Sequence, residues 1–112
     1  MTDTETSGEP GPTGTVSYLI GFAVRPSERA RFLQLITGVL DAMREEATFI
    51  SAALHVDPGD GNRFLLLETW RDHRDVVEVQ LKRPYREAWH QELPELLEGG
   101  RDVSVWSPVW TS

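Results

Sequence analysis

The segment NRFLLLETWRD, residues 62–72, places a carboxylate and an indole within an otherwise strand-like run. Alternate side chains of a β-strand point to the same face, so Glu68 and Trp70 share one. The carboxylate could bind a ligand or pair with Arg71 or Arg86, and the indole could pack on an aromatic ring. The pair therefore predicts either a polar rim on a packed core or the lining of a small-molecule cavity.

Three histidines supply the side chains best suited to proton transfer near neutral pH. His55 ends a predicted strand, where it could act as a base or serve only as a polar strand end. His90, on a predicted helix, could reach the same cavity or cover the helix surface. His73 lies in the charged run RDHRD and is expected at the surface. Their scatter gives no metal-site spacing, so we expect no metal.

Composition narrows the class of protein. The 112 residues fit one domain, and the net charge of −7 disfavours binding to nucleic acid or to anionic membranes. The absence of cysteine excludes disulfides and thiolate chemistry. No apolar run approaches the roughly 20 residues of a membrane span, and the polar N-terminus does not resemble a signal peptide, so we expect a cytoplasmic protein. Residues 1–15 predict a flexible tail, and residues 16–112 the folded domain.

Hydrophobic periodicity predicts four strands and two helical regions. The strands are expected at 16–24, 49–57, 63–71 and 101–110. The first helix is expected at 27–47 with Ser27 as its N-cap, and residues 72–100 form two pieces separated at Pro84, the first capped by Asp72 or Asp75. The order β-α-β-β-α-β is that of a ferredoxin-like α+β fold, with a four-stranded antiparallel sheet and both helical regions on one face.

Alternation along the third strand separates its two faces. One set, aliphatic in its middle, is predicted to pack on the helices: Arg63, Leu65, Leu67, Thr69 and Arg71. The other set is predicted to line a cavity on the opposite face: Asn62, Phe64, Leu66, Glu68 and Trp70. A helix-free apolar face of this size is unfavourable on a monomer. We therefore expect a second copy to cover it in a two-fold homodimer.

The segments FISAALHVDPGDGNRFLLLETWRD and LKRPYREAW, taken together, resemble the antibiotic biosynthesis monooxygenase domain. The shared pattern is a strand ending in Leu-His, a turn, Asn-Arg-Phe leading to Glu-x-Trp, and a helix with a Pro-aromatic step. The resemblance covers about residues 16–110. It implies a dimeric α+β barrel with a pocket between sheet and helices. Family members include cofactor-free oxygenases of anthrones and quinols, and haem-degrading enzymes.

The resemblance implies a monooxygenase that needs no cofactor and reacts molecular oxygen with a deprotonated quinol- or anthrone-like aromatic. It gives Trp70 the role of orienting the ring. From the chemistry of histidine, and not from the resemblance, we expect His55 or His90 to act as the base. Further substrate contacts are expected from Asn62, Phe64, Leu66, Glu68, Tyr85 and Trp89.

The chain departs from well-known branches of the family at four positions. Leu66 stands where polyketide-oxidising members have asparagine, Val76 where they have tyrosine, and His90 near their helix arginine. Gln80 stands where haem-degrading members place the axial histidine. A non-catalytic dimer that binds a small molecule in the same pocket is therefore the second interpretation, and haem binding with degradation is the third.

Overall fold

A computed structural model describes residues 14–112. Its strands are β1 (Val16–Ala23), β2 (Phe49–Asp57), β3 (Asp60–Trp70) and β4 (Asp102–Trp106). Its helices are α1 (Arg29–Met43), α2 (His73–Glu78) and α3 (Glu87–Leu96), with single 3-10 turns at Pro26–Glu28, Gln80–Lys82 and Pro84–Arg86. The predicted N-terminal tail lies outside the described residues, apart from its last two. Within residues 14–112, no helix has the length and apolar character that crossing a membrane requires.

The sheet has the strand order β2-β3-β1-β4, and every neighbouring pair is antiparallel. This order confirms the predicted ferredoxin-like α+β fold, in which each helical region crosses over one strand of the sheet. The hairpin between β2 and β3 turns at Pro58 and Gly59, where the Asp57 side chain accepts the Gly59 backbone N–H at 2.8 Å. The central strands β1 and β3 place Tyr18 directly opposite Glu68.

The helix boundaries follow local capping chemistry in part. Asp72 caps α2 by accepting the Arg74 backbone N–H at 2.9 Å, as its position before the helix predicts. Ser27 does not cap α1, because Pro26 starts a 3-10 turn and α1 begins only at Arg29. The predicted break at Pro84 is present as a 3-10 turn that leads into α3.

The core contains an aromatic cluster that lies between the sheet and the helices. Phe32 of α1 contacts Phe22, Phe64 and Trp89, with ring centroids 5.0–5.8 Å apart. All four rings are buried. Their size fills the layer between the helices and β1 and β3, and edge-to-face and tilted contacts of this kind contribute stability beyond that of the buried area.

The predicted assignment of the two faces of β3 is wrong. Phe64, Leu66 and Trp70 point toward the helices and are at most 6% exposed, whereas Leu65 and Leu67 lie on the open face, 40% and 38% exposed. Both sets are apolar, so alternation alone does not say which set the helices cover. The larger aromatic rings pack into the layer under the helices, and the smaller aliphatic side chains remain outside.

The first residues of β2 also depart from the predicted alternation. A register shift between Phe49 and Ser51 leaves Ile50 exposed and pairs Phe49 with Trp70. The two rings meet edge to face, with centroids 5.4 Å apart. This bulge turns Phe49 toward the core, although strict alternation along the strand would place it with Ser51 on the opposite face.

Candidate functional site

A cavity of about 140 Å³ lies between the helices and the sheet. Its lining is mostly apolar, with side chains from β1, β3, α1, α2 and α3. Exposed Val77, Leu81 and Val103 stand at its rim. The volume is close to that of an engineered cavity of about 150 Å³ that holds a benzene molecule. The cavity therefore fits one aromatic ring.

Four polar side chains interrupt this apolar lining: Tyr18, Glu68, Arg86 and Arg101. They come from β1, β3, the turn before α3, and the residue before β4. A small set of convergent polar groups in an apolar cavity is typical of a small-molecule site.

Glu68 is the buried carboxylate of the cavity. It is 5% exposed, and its Oε1 accepts the Trp70 indole N–H at 2.8 Å. Burial raises the pKa of Glu68, while the Trp70 hydrogen bond and the charges of Arg86 and Arg101 partly oppose that shift. A carboxyl group with a raised pKa and one oxygen free of the indole is suited to exchange a proton with a bound ligand.

Tyr18 connects the cavity to His73, the first residue of α2. A hydrogen bond of 2.7 Å joins the Tyr18 hydroxyl oxygen to His73 Nδ1. Burial, with the Glu68 charge, raises the pKa of Tyr18 to about 12, so the phenol is neutral at physiological pH. His73 is half-buried by this contact and is not the free surface residue that its charged neighbours predicted. Tyr18 and His73 thus form a hydrogen-bonded path from the cavity toward the protein exterior.

Two guanidinium groups place positive charge at the cavity. Arg86 is 5% exposed, and its Nε and Nη2 atoms have no hydrogen-bond partner among residues 14–112. Arg101 lines the cavity but is exposed as a whole residue, and partial loss of water contact lowers its pKa, while the Glu68 charge opposes the shift and the Arg86 charge adds to it. The pKa of His90 is lowered first by its own burial and then by the two arginines. One carboxylate therefore faces two cations in this part of the molecule.

The structure brings some of the predicted ligand contacts together at the cavity. Leu66, Glu68 and Trp89 line it. Phe64 belongs to the aromatic cluster, Tyr85 donates a hydrogen bond to Glu46 at 3.1 Å, and Asn62 lies near the hairpin. The substrate contacts predicted for these last three residues stay predictions.

The three predicted catalytic residues lie in different surroundings. Trp70 is fully buried beside the cavity lining, where it holds Glu68 and packs on Phe49. His90 is half-buried on α3 and is absent from the lining. His55 lies on the open face of the sheet, in an open groove of about 910 Å³ that Arg63 and Phe64 also line. Their catalytic roles stay predictions, and only Glu68 among the titratable residues predicted for the site contacts the cavity.

Sequence reasoning missed Tyr18, His73 and Arg101 as site residues. A signal for Tyr18 existed in the alternation of β1, which places it among buried residues, but its pairing with Glu68 depends on the strand register. Arg86 had been considered only as an ion-pair partner of Glu68. Among residues 14–112, no carboxylate lies within ion-pair distance of Arg86.

The residues at the position of the haem ligand do not fit haem binding. Gln80 is buried and donates hydrogen bonds to Asp75 at 3.0 Å and to Glu46 at 3.4 Å. An amide committed to two carboxylates does not replace an axial histidine. In the part of the chain that the structure describes, no group of three or more histidine or acidic side chains is placed to hold a metal ion.

Fold and site together define a ferredoxin-like α+β protein with an internal cavity of single-ring size. A sequence model of the antibiotic biosynthesis monooxygenase family matches residues 15–92. The chain therefore belongs to this family, which confirms the resemblance seen in the sequence.

Individual relatives agree with this membership. A protein of Pestalotiopsis microspora, named as a monooxygenase, is 29% identical over 97 residues, which cover 86% of this chain and 81% of that protein. The structure of an antibiotic biosynthesis monooxygenase from Nitrosomonas europaea has a TM-score of 0.81 at 11% identity, covering 88% of this chain and 93% of the other. The cofactor-independent oxygenase SnoaB from Streptomyces nogalater, in a mutant form, has a TM-score of 0.75 at 17% identity, covering 88% and 96%. At these identities the two structures show a shared fold.

Proposed function

We propose that this protein is a cofactor-independent monooxygenase that acts on a quinol-like aromatic with molecular oxygen. The observation that supports the proposal most strongly is the 140 Å³ apolar cavity with Glu68 in its lining. Family membership supplies the reaction class, and the size of the cavity favours a single-ring quinol over a tricyclic anthrone.

The reaction needs no external reductant. A quinol and one molecule of oxygen give a hydroxyquinone and one molecule of water, because the quinol supplies all the electrons. One oxygen atom becomes a hydroxyl group on a ring carbon, and the other leaves as water with the two hydrogens that the substrate loses. The protein has only to bind and orient the ring, accept a proton, and limit contact with bulk water.

Glu68 is the proposed proton acceptor, since it is the carboxylate of the cavity lining. Trp70 positions the Glu68 carboxylate through the 2.8 Å hydrogen bond. In this arrangement Trp70 is a positioning residue that does not contact the aromatic ring of the substrate. The Tyr18–His73 hydrogen bond offers a path by which the proton leaves the cavity. In this proposal His55 and His90 are not the base, so alanine substitution of either one leaves turnover unchanged.

Oxygen consumption tests the proposal directly. Oxygen uptake is measured with quinols of one ring and two rings and with an anthrone. We expect uptake with the single-ring substrate and a decline with each added ring. The variant Leu66→Phe, which fills the cavity, should lower turnover at least about tenfold, because added volume in a packed site displaces the ligand.

Val79→Phe is the control, because it adds a phenylalanine at an exposed position outside both the cavity lining and the open face of the sheet. Turnover that falls equally in both variants would place the reaction outside this cavity. Absence of oxygen uptake with every quinol would remove the oxygenase proposal.

A non-catalytic dimer that binds a small aromatic molecule is the second candidate function. It is favoured by one observation, the hydrogen bond that already commits one Glu68 oxygen to Trp70. Tight binding of a single-ring aromatic without oxygen uptake would select this alternative. Haem binding, the third interpretation, predicts a Soret shift on titration with haem, and the side chains around Gln80 give no reason to expect one.

We also propose that the protein is a homodimer whose two sheets face each other. The open face carries Leu65, Leu67 and Trp106, the last 60% exposed, and an apolar face of this kind is unfavourable in water. The covered surface differs from the one predicted, because Phe64 and Trp70 lie under the helices. A cytoplasmic location, expected from composition, is likewise a proposal.

A further inference from the structure

The guanidinium group of Arg86 is buried and, in the part of the chain that the structure describes, has two nitrogen atoms without hydrogen-bond partners, which is rare for an arginine with only a structural role. Arg86 is 5% exposed and lines the cavity, yet its Nε and Nη2 atoms lack hydrogen-bond partners among residues 14–112. Buried polar groups in folded proteins are nearly always hydrogen-bonded, and leaving a charged donor unpaired is costly. A partner for Arg86 is therefore to be sought among the molecules that enter the cavity.

The neighbours of Arg86 do not neutralise it. Glu68 influences it electrostatically, but no carboxylate among the described residues is within ion-pair distance. Arg101 adds a second cation to the lining. The Tyr85 ring lies 5.7 Å from the guanidinium carbon as a cation–π partner. A side-chain hydrogen bond between Tyr85 and Arg86 also acts on the pKa of Tyr85, and it leaves the Nε and Nη2 donors of Arg86 without a partner among the described residues.

The charge of the cavity is opposite to that of the chain. The whole chain carries a net charge of −7, whereas the cavity holds two guanidinium groups and one carboxyl group. Arg86 also stands immediately before α3, where the positive end of the helix dipole adds to its charge. An anionic ligand would compensate the excess positive charge of the cavity, whereas a neutral aromatic ligand would leave it uncompensated.

We propose that the cavity binds its ligand as a single-ring aromatic oxyanion, and that Arg86 pairs with the oxyanion. This proposal rests on the proposed function, and it assigns to the substrate of that reaction an acidic hydroxyl or a carboxylate on the ring. A guanidinium group recognises either group through its planar set of N–H donors. If the ligand is a phenol, Arg86 favours the phenolate and so promotes the proton loss that precedes reaction with oxygen.

Binding measurements in the absence of oxygen test this inference separately from the reaction. The probes are 4-nitrophenol, whose phenolate has a visible absorption band, 4-nitrobenzoate, and the neutral molecule nitrobenzene. We expect the wild-type protein to bind at least one anion more tightly than nitrobenzene. Appearance of the phenolate band at a pH where free nitrophenol is mostly protonated would identify the phenolate as the preferred form, and preferential binding of nitrobenzoate would identify the carboxylate.

The variants Arg86→Gln and Arg86→Lys examine the role of the guanidinium. Arg86→Gln should weaken anion binding about 10- to 100-fold and leave nitrobenzene binding unchanged, because only the charge-assisted hydrogen bonds are lost. Arg86→Lys should keep part of the anion affinity, since it keeps the charge but loses the planar donor set. Arg71→Gln, at an exposed position, is the matched control and should bind like the wild type.

Nitrobenzene binding also reports whether the cavity of each variant is intact, and circular dichroism reports its fold. The inference is overturned if nitrobenzene binds the wild type as tightly as both anions, if no probe binds, or if Arg86→Gln retains full anion affinity. Anion binding that depends on Arg86, in a protein that consumes no oxygen with any quinol, would support this inference while removing the oxygenase proposal.

Discussion

At the scale of single residues, Glu68 combines burial with a position in the cavity lining. A buried carboxyl group is usually stabilised by a direct ion pair or by several hydrogen bonds. Glu68 has one side-chain donor, the Trp70 indole, and two more distant cations. Burial raises the pKa of Glu68, and these groups only partly oppose the shift, so Glu68 is the residue where proton exchange is most readily linked to ligand binding.

The stability of the protein should report the raised pKa of Glu68. A carboxyl group whose pKa is raised in the folded state contributes stability below its unfolded pKa and loses it as the pH rises through the folded pKa. Glu68→Gln cannot ionise, so its stability relative to the wild type should increase as the pH rises above 4.5, the ordinary Glu value.

Urea unfolding of both proteins at several pH values measures this difference. The groups that act on Glu68 are Trp70, Arg86, Arg101 and Tyr18, and glutamine retains an oxygen that can accept the indole N–H. A difference in unfolding free energy that does not change with pH would contradict the prediction.

The Tyr18–His73 hydrogen bond gives a second prediction at this scale. Tyr18→Phe keeps the ring and removes the hydroxyl, which should lower the unfolding free energy by about 0.5–1.5 kcal/mol. Ultraviolet titration of the variant should also lose a phenol that ionises with a pKa of about 12. Tyr85→Phe, which removes the hydroxyl that bonds Glu46, is the control for the titration. A wild-type Tyr18 that ionises near 10 would contradict its burial.

At the scale of the elements, β3 separates two environments with a period of two residues. Its inner side chains fill the layer under the helices, and its outer side chains form the open face of the sheet. The bulge at Ile50 lets β2 follow β3 while turning Phe49 inward. The side of the sheet to which each of these side chains points, and so whether it bounds the cavity, depends on strand register as well as on the residue type.

Neighbouring leucines on β3 test this assignment of faces. Leu66→Ala should lower the unfolding free energy by about 2–5 kcal/mol, because it leaves a void in the core. Leu67→Ala, at a position 38% exposed, should cost less than about 1.5 kcal/mol when measured at a protein concentration too low for association. Chemical denaturation measures both values, and the opposite order would restore the original face assignment.

At the scale of the whole molecule, the open face of the sheet is the feature that bears on whether the protein is a monomer or a homodimer. A twin subunit that covers Leu65, Leu67 and Trp106 would bury their apolar surface without a new structural element. Light scattering should then give twice the chain mass of 12.7 kDa.

Leu67→Lys should shift the protein to the monomer, because it places a charge in the proposed interface. Val79→Lys is the matched control, since Val79 is also 38% exposed but follows α2, on the helical side of the molecule. A monomeric wild type, or an equal loss of mass in both variants, would contradict the two-sheet interface.

The sequence by itself determined the features that depend on neighbouring residues. Periodicity located all four strands and both helical regions, the short turn at Pro58 and Gly59 defined the hairpin, and Asp72 capped its helix as predicted. The family motif around Glu68 and Trp70 could also be identified from the sequence, because its residues are close together in the chain. These features follow from backbone preferences and side-chain chemistry within a few positions.

Only the tertiary structure decided which face of β3 the helices cover and which side chains meet at the cavity. Tyr18 and His73 are 55 residues apart in the chain, and Arg86 joins the cavity from a different element again. Both faces of β3 are apolar, so their pattern contains no preference for one side. The packing of the large rings between the sheet and the helices determines which face of β3 is covered. This packing energy arises only when segments that are distant in the chain come into contact.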